Sequence, residues 1–184
     1  MSKFQGDQVS KERLKTMIKI AIVGPEESKW KPNQKEDAKQ WIEDFLSGMK
    51  LETEQGSLGG HDIILVSGHC PKKGVDIWAE EVADNLGIKK EIYPADCTLD
   101  PVNKCLGREY FHWWNFHYKP RNIQIAEACN VLYCIVPKDK TKICRHCWKE
   151  ASTVLISEHP TNGGCWTAKY AKKLGKEVHL VVIE

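Results

Sequence analysis

The chain has 184 residues, enough to bury a sizeable core in one domain but too few for two full domains. Its 27 Lys and Arg residues against 25 Asp and Glu give a formal charge of +2, which argues against the basic surface of a dedicated DNA-binding domain. Residues 1–17 lack the apolar stretch of a secretion signal or membrane span, so we expect a flexible tail, a domain at 18–184 and a cytoplasmic protein.

Beyond this tail, short apolar segments alternate with segments of helical periodicity. A strand is predicted at 19–23, ending at Gly24-Pro25, and a helix at 34–48 that we expect to stop at Gly48. A strand at 63–66 and a helix at 75–86 follow, and Gly87 leads into a strand at 90–93. The remaining elements are a helix at 123–129, a strand at 131–136, a helix at 166–174 and a strand at 178–183.

This alternation predicts an α/β fold: a Rossmann-like, doubly wound parallel sheet in a single domain with helices on both faces. Ligands of such sheets bind beyond the carboxyl ends of the strands, where the strand order reverses. The loops that follow the strands are therefore the candidate binding elements. Two of them, 95–121 and 137–165, are long enough to count as insertions, and long loops are often functional.

The loop after the second predicted strand has the features of an anion site. Ser67-Gly68 ends the apolar run, a basic stretch follows, and Gly74 precedes the predicted helix. Unpaired amides and the helix dipole favour phosphate at such a helix start. The alternative is an ordinary turn between a strand and a helix, which occurs in every α/β domain.

Four segments in this order and spacing resemble the SLOG superfamily of Rossmann-like domains, most closely its small stand-alone members of the YspA type. The superfamily also contains the LOG phosphoribohydrolases and the DNA-processing protein DprA. The matching segments are Ile20-Ala21-Ile22-Val23-Gly24, Val66-Ser67-Gly68 through Gly74-Val75-Asp76, Arg121-Asn122, and Gly163-Gly164-Cys165-Trp166-Thr167 with the helix that follows.

The resemblance implies a pocket for a nucleotide or a nucleotide-derived small molecule, in a sensor or binding module. The residues that would line it are Gly24, Ser67, Gly68, Gly74, Asp76, Arg121, Asn122, Gly163, Gly164 and Thr167. Their chemistry agrees, since hydroxyls and glycine amides can donate hydrogen bonds and Arg121 offers a fixed fork for phosphate. Asp76 suits either a ribose hydroxyl or, in our preferred interpretation, a cap or brace of its own loop.

Two departures from the family pattern affect the expected activity. The hydrolase members have glutamate after the threonine that corresponds to Thr167, whereas Ala168 follows it here, so the general acid or base is missing. His69 replaces the second glycine of the phosphate loop. Hydrolysis of a nucleotide N-glycosidic bond is therefore the alternative function. Single-stranded nucleic-acid binding of the DprA kind is the second alternative, which the near-neutral charge does not favour.

The eight cysteines favour free thiols or a metal site over disulfides, because no secretion signal is recognised. Cys144 and Cys147 are two thiols at a spacing that suits zinc, and His159 and Cys165 could complete four ligands. Cys165 also lies in the proposed ligand turn, which argues against its use as a structural metal ligand. Cys97 and Cys105 are alternative partners, and free loop thiols are the alternative to zinc.

The densest aromatic stretch, 110–118, directly precedes Arg121. Its rings could stack on a base beside a phosphate-binding cation. We favour the alternative that most of them cover a sheet edge or a homodimer interface, with one or two rings facing the ligand. His112 and His117 are candidates for proton transfer only if they point into the pocket. A homodimer is the expected oligomer, because SLOG-like domains often self-associate.

Overall fold

The computed structural model describes residues 17–55, 62–95, 114–147 and 157–184. These residues form five strands and four α-helices, which alternate along the chain. In chain order they are β1 (Met17–Val23), α1 (Pro32–Glu54), β2 (Asp62–Ser67), α2 (Val75–Leu86), β3 (Lys89–Ile92), α3 (Lys119–Ala128), β4 (Val131–Pro137), α4 (Gly163–Lys173) and β5 (Glu177–Ile183). A 3-10 turn lies at Glu27–Lys29, and a π-helical turn at Trp114–Tyr118 leads into α3.

The five strands form one parallel sheet in the order β3-β2-β1-β4-β5. In the register, Ile20 of β1 lies opposite Leu65 of β2 on one side and Val131 of β4 on the other. The chain first builds outward from β1 through β2 to β3, then returns to the far side of β1 for β4 and β5. This arrangement confirms the predicted α/β class with a Rossmann-like, doubly wound sheet.

Two apolar layers cover the sheet, one on each face. Ile42 of α1 and Trp78 of α2 belong to one core cluster, together with Ile20 and Leu65. Ile125 of α3 and Ala171 of α4 belong to the other. Because both faces are covered, the central strands read as continuous apolar runs rather than alternating ones.

The helix ends differ most from the sequence-based expectation at the end of α1 and the start of α3. The predicted stop at Gly48 is wrong, since α1 continues to Glu54. A Cβ at Gly48 would meet nothing within 4 Å, so this glycine lies on an open surface of the helix. The helix continues through it without a turn. Helix α3 begins four residues earlier than predicted, at Lys119, with Pro120 in the first turn where its missing N–H costs no hydrogen bond.

The order of the strands reverses between β1 and β4, which start crossovers in opposite directions. The loops that follow these two strands therefore diverge and leave a crevice at the carboxyl edge of the sheet. No helix in the described ranges combines the length and the apolar character needed to cross a bilayer.

Candidate functional site

A cleft of about 230 Å³ lies at this switch point. The loop after β1, the loop after β2 and the starts of α2, α3 and α4 contribute its walls. Six of the residues that the sequence indicated line it, namely Gly24, Asp76, Arg121, Asn122, Gly163 and Gly164. Segments far apart in the sequence thus converge on one space.

Arg121, in the first turn of α3, is the buried cation of the cleft and is only 9 % exposed. Its Nη1 donates to the Gly68 carbonyl oxygen at 3.1 Å, and its Nε and Nη2 donate to Asn122 Oδ1 at 3.1 and 3.0 Å. The guanidinium lies 5.3 Å from the centre of the Tyr118 ring. Three of its five N–H groups are used in these bonds, which leaves two.

Asp76 is the buried anion beside Arg121, with its Oδ2 3.8 Å from Arg121 Nη1. Burial raises the pKa of this carboxyl to about 6, although the Arg121 charge acts to lower it and Glu80 adds to the rise. The carboxylate, in the first turn of α2, also accepts a hydrogen bond from its own backbone N–H. Asp76 therefore compensates the charge of Arg121 from the start of its helix.

Asn122 Nδ2 is a buried donor that has no hydrogen-bond partner among the described residues. The orientation of the amide is set by Arg121, because both guanidinium bonds end on Oδ1. The free Nδ2 group lies 3.5 Å from where a Cβ on Gly163 would be, at the start of α4. A buried donor without a partner costs about 1–3 kcal/mol, so a ligand that accepts its hydrogen bond would recover that energy.

Close backbone contact brings the start of α4 to the loop after β1. A Cβ on Gly164 would lie 2.8 Å from both the N and the Cα of Gly24, and a Cβ on Gly24 would lie 2.5 Å from the carbonyl oxygen of Ile135. Gly74, at φ 104°, has the backbone of Pro25 and Glu26 against its missing side chain. Glycine at these positions lets the amides at the starts of α2 and α4 approach the cleft.

Two of the predicted hydroxyl groups are bonded within the protein. Ser67 Oγ, fully buried, donates to Glu80 Oε1 at 2.6 Å. Thr167 Oγ1 donates to the Gly163 carbonyl oxygen at 3.0 Å. Ser67 thus stabilises the end of β2, and Thr167 stabilises the first turn of α4. Four predicted site residues are not among the residues that line the cleft, namely Ser67, Gly68, Gly74 and Thr167.

His69, which replaces the glycine of the family pattern, has a left-handed backbone with φ 47°. Its Nδ1 lies 2.8 Å from Glu80 Oε2, so the buried carboxylate of Glu80 holds both Ser67 and His69. This hydrogen bond stabilises a conformation that a residue with a Cβ rarely adopts. Glu80 was not identified from the sequence, because its helical spacing looks the same as that of an exposed glutamate.

Charged and aromatic side chains complete the cleft. Lys29, whose Nζ donates to the Thr161 carbonyl at 3.2 Å, and Lys72, which lies 3.3 Å from Glu26, add positive charge at its rim. The rings of Trp114 and Tyr118 also line it. His117 is buried and does not line the cleft. The other predicted aromatic residues, 110–113, lie outside the described residues.

A group of four possible metal ligands lies at the start of α4. Ligand atoms of Cys144, Cys147, His159 and Cys165 all lie within 4.8 Å of one another, and this group could hold a metal ion. Four ligands around a tetrahedral zinc with Zn–S of about 2.3 Å are separated by about 3.8 Å, close to this spacing. Cys97 and Cys105, the alternative partners, lie outside the described residues.

The surroundings of this cysteine and histidine group orient its donor atoms inward. His159 Nδ1 lies 3.0 Å from the Pro160 carbonyl oxygen, which fixes the ring and leaves Nε2 toward the sulfurs, 4.0 Å from Cys165 Sγ. Hydrogen bonds from Cys147 and Cys165 hold the pKa of the Cys144 thiol well below its ordinary value. One thiolate is thus favoured within the group, while the same hydrogen bonds raise the pKa of the Cys147 and Cys165 thiols, whose protons a bound metal would have to displace.

Asn162 connects this group to the cleft and was not identified from the sequence. It is the N-cap of α4, since its Oδ1 accepts from the Cys165 amide at 2.9 Å. Its Nδ2 lies 3.3 Å from Cys165 Sγ, and the residue also lines the cleft. The signal in the sequence was an asparagine directly before two glycines, but the helix was predicted to begin only at 166, so the cap was missed.

Fold and cleft together define the protein as a Rossmann-like α/β protein with a polar, partly cationic crevice at the switch point of its sheet. Comparisons of the chain with protein-family models, with curated proteins and with solved structures find no match.

Proposed function

We propose that this protein binds a nucleotide or a nucleotide-derived small molecule in the cleft between β1 and β4, as a sensor or binding module related to the SLOG superfamily. The observation that carries the proposal is the buried Arg121-Asn122 pair, with an amide donor of Asn122 that no described residue satisfies. An anionic acceptor is the ligand chemistry that such a pair suits best.

The phosphate of the ligand would lie at the start of α4. Asn122 Nδ2 points there, and the first amides of a helix have no partner within the helix. The dipole of α4 favours negative charge at the same place, and Arg121 has two N–H groups left to donate. The aromatic rings of Trp114 and Tyr118 line the same cleft and would pack against the base or the ribose.

A second candidate function is hydrolysis of the N-glycosidic bond of the bound nucleotide. Asp76 favours it, because a carboxyl group with a pKa of about 6 in a ligand cleft can exchange a proton near neutral pH. The absence of glutamate after Thr167 argues against the mechanism of the family's hydrolases. Binding without turnover is therefore the first proposal.

The test is a panel of nucleoside monophosphates, cyclic nucleotides and ADP-ribose, measured for thermal shift and for release of free base. Stabilisation without base release supports the binding module, and base release supports the hydrolase. Retention of single-stranded DNA without a shift for any nucleotide would contradict both.

Asn122→Asp is the sharpest variant, because it keeps the Oδ1 acceptor for Arg121 and replaces the free donor by a carboxylate oxygen. Loss of a hydrogen bond to a charged group should weaken binding by about 10- to 100-fold. Arg145→Gln, an exposed arginine outside the cleft, is the control and should bind as the natural chain does.

For the group of Cys144, Cys147, His159 and Cys165 we propose structural zinc. Four buried or half-buried donors around one point, with no place left for a water, are typical of a closed zinc site. The zinc would hold the loop after β4 against the first turn of α4. Elemental analysis of the purified protein should find about one zinc per chain, and Cys144→Ser should lose it while Cys129→Ser, a buried cysteine outside the group, retains it.

A further inference from the structure

Cys134 is a buried cysteine that lies beside the candidate metal group without belonging to it. Its side chain is fully buried in β4, and its Sγ lies 3.7 Å from Sγ of Cys165 in the first turn of α4. Cys165 is one of the four possible metal ligands, whereas Cys134 is not. A zinc ion held by the four ligands would therefore leave the Cys134 thiol free and in contact with a ligand sulfur.

The placement of these two sulfurs suits a disulfide. They already touch, so a bond of about 2.05 Å needs an approach of only about 1.7 Å. Cys134 and Cys165 come from a strand and from the helix packed on it, and both belong to the same apolar core cluster. Cys129 belongs to that cluster too, but its Sγ donates to the Ala126 carbonyl oxygen at 3.5 Å. Cys129 is therefore a matched buried cysteine for comparison.

Cys147 is the sulfur of this region that an oxidant reaches most easily. It is half-buried, whereas Cys134, Cys144 and Cys165 are buried. The ligand atoms of the metal group lie within 4.8 Å of one another, so Cys165 can reach a modified Cys147 sulfur. Cys134 in turn touches Cys165. These three sulfurs form a path from the half-buried loop into the core.

We propose that Cys134 and Cys165 form an oxidation site, where a hydroperoxide converts the metal group into a buried disulfide and releases the zinc. The Cys147 thiolate first attacks the peroxide: an S–O bond forms, the O–O bond breaks and the alcohol leaves with a proton. The Cys165 thiolate then attacks the Cys147 sulfur, so a disulfide forms and hydroxide leaves as water. The Cys134 thiolate finally attacks the Cys165 sulfur, and Cys147 leaves as a thiolate. In total, two thiols are oxidised to one disulfide, and the hydroperoxide is reduced to an alcohol and water.

Burial decides where this exchange ends. A disulfide through the half-buried Cys147 is open to attack by external thiols, whereas one between Cys134 and Cys165 is enclosed in the core. Because Cys165 then no longer offers a thiolate, the metal loses one of its four ligands. The release of zinc rests on the proposed zinc site, but the disulfide itself does not require the metal.

Oxidation at Cys165 also affects the cleft. The Cys165 sulfur lies 3.3 Å from Asn162 Nδ2, and the Cys165 amide donates to Asn162 Oδ1 at the N-cap of α4. Asn162, Gly163 and Gly164 line the cleft. A sulfur drawn toward β4 shifts this helix start, so the oxidised protein should bind the cleft ligand more weakly. This consequence rests on the proposed nucleotide binding.

The test treats the full zinc-loaded chain with hydrogen peroxide and follows zinc release with a colorimetric chelator. Free thiols are then alkylated, and tryptic peptides are identified by mass spectrometry. Cys129 and Cys134 share the tryptic peptide 122–138, so the mapping is repeated on Cys129→Ala, which is also the control. Zinc should be released as two thiols disappear, and peptide 122–138 should be linked to the peptide that contains Cys165 in both proteins.

Cys134→Ala separates this site from the metal group. It should bind zinc and the cleft ligand as the natural chain does, because Cys134 is not among the four ligands. After oxidation its Cys165 has no buried partner in β4, so glutathione should restore the thiols at least about tenfold faster than in the natural chain. Cys134→Ser, which is closer in size, gives the same comparison if Cys134→Ala does not fold.

A link between the peptides of Cys144 and Cys147, with Cys134 alkylated, would overturn the proposal, and so would thiols that resist the peroxide. If the chain binds no zinc, the zinc proposal fails, while the same peptide map still decides the disulfide. If no nucleotide binds, only the effect on the cleft is lost.

Discussion

Arg121 and Asp76 form a buried charge pair at a distance of 3.8 Å, too long for a direct hydrogen bond. The guanidinium is held by Gly68 and Asn122, so its position does not depend on the carboxylate. Burial penalises the carboxylate more than Arg121 stabilises it, which is why the pKa of Asp76 rises. The cleft therefore has a fixed cation beside an acid whose charge changes near neutral pH.

Asp76→Asn tests this balance through the pH dependence of stability. The native chain binds the Asp76 proton more tightly than the unfolded chain, with a pKa of about 6 against the ordinary 3.8. The extra stability is therefore full below about pH 4 and is lost as the pH rises through about 6, a change on the order of 3 kcal/mol. Urea unfolding at several pH values should show the difference in unfolding free energy between the natural chain and Asp76→Asn shrinking or reversing over this range. A difference that is independent of pH would contradict the burial of the charge.

Asp76 should also make the affinity for anions depend on pH. Below about pH 6 the carboxyl is neutral, so Arg121 is no longer compensated and an anionic ligand should bind more tightly. Sulfate is a suitable probe because its charge does not change in this range. Titration at pH 5 and pH 8 should show the tighter binding at pH 5 for the natural chain and equal binding for Asp76→Asn.

Gly68 determines whether the buried charges can take their positions. A Cβ there would lie 2.9 Å from Arg121 Cζ and 2.9 Å from Asp76 Oδ2, so Gly68→Ala must displace both side chains. We expect destabilisation by about 1–3 kcal/mol and loss of ligand binding. Gly48→Ala is the matched control, since nothing lies within 4 Å of its Cβ and alanine in a helix should stabilise by about 0.5–1 kcal/mol. Chemical denaturation of both variants makes the comparison, and equal stabilities would contradict the tight contact at Gly68.

Among the secondary-structure elements, helix α4 makes three different contacts through its first turn. Gly163 and Gly164 line the cleft, Gly164 lies against the loop after β1 at Gly24, and Cys165 belongs to the candidate metal group. Asn162 serves as N-cap and also contacts the Cys165 sulfur. A shift of this helix start would thus change the cleft and the cysteine and histidine group together.

Neighbouring glycines in α4 allow a direct test of the backbone contact. Gly164→Ala would place a Cβ 2.8 Å from the backbone of Gly24, which cannot move without the strand, so we expect a loss of about 1–3 kcal/mol and of ligand binding. Gly163→Ala meets the Trp114 ring at 3.4 Å, where a side chain can adjust, and should be tolerated. Thermal unfolding of the two variants is the measurement. Equal melting temperatures would show that α4 does not depend on this contact.

For the whole molecule, the candidate metal group joins parts of the chain that the sheet leaves apart. Cys144 and Cys147 follow β4, His159 precedes α4 and Cys165 lies inside it. The loop after β4 is held further by backbone bonds from Asp139 to Glu158 and from Cys144 to Ser157. A metal at this point would fix the second insertion against the domain.

Zinc removal should therefore weaken both stability and ligand binding. A chelator at neutral pH is expected to lower the melting temperature by about 5 °C or more, given roughly 2–4 °C per kcal/mol for a chain of this size. Affinity for the cleft ligand should fall in parallel, because α4 loses its anchor at Cys165. Scanning calorimetry with and without zinc readdition measures the first effect and calorimetric titration the second. Full ligand affinity in the metal-free protein would show that the two sites are independent.

For the whole molecule, the homodimer expected from the sequence stays a prediction. Light scattering of the purified chain gives its mass in solution directly.

The sequence alone determined the fold class and the rough position of each element. Apolar runs, helical spacing and glycine breaks are local patterns, and local patterns specify strands and helices within a few residues. The resemblance of four segments to the SLOG superfamily indicated Gly24, Arg121, Asn122, Gly163 and Gly164, which lie near the strand ends that meet at one edge of a parallel sheet. The pair Cys144 and Cys147 was visible from its spacing.

Only the tertiary structure decided what these side chains contact. Ser67 donates a hydrogen bond to Glu80, Thr167 donates one to Gly163 of its own helix, and Asp76 lies beside Arg121. The sequence does not show these partners, because each one lies either far away in the chain or at an ordinary position of a regular helix. The closure of the metal group by His159 and Cys165, and the contact between Trp114 and Trp166, likewise depend on how α4 docks on β4 and β1. Residue spacing along a chain specifies which groups can lie on one element, whereas distances between elements follow from packing.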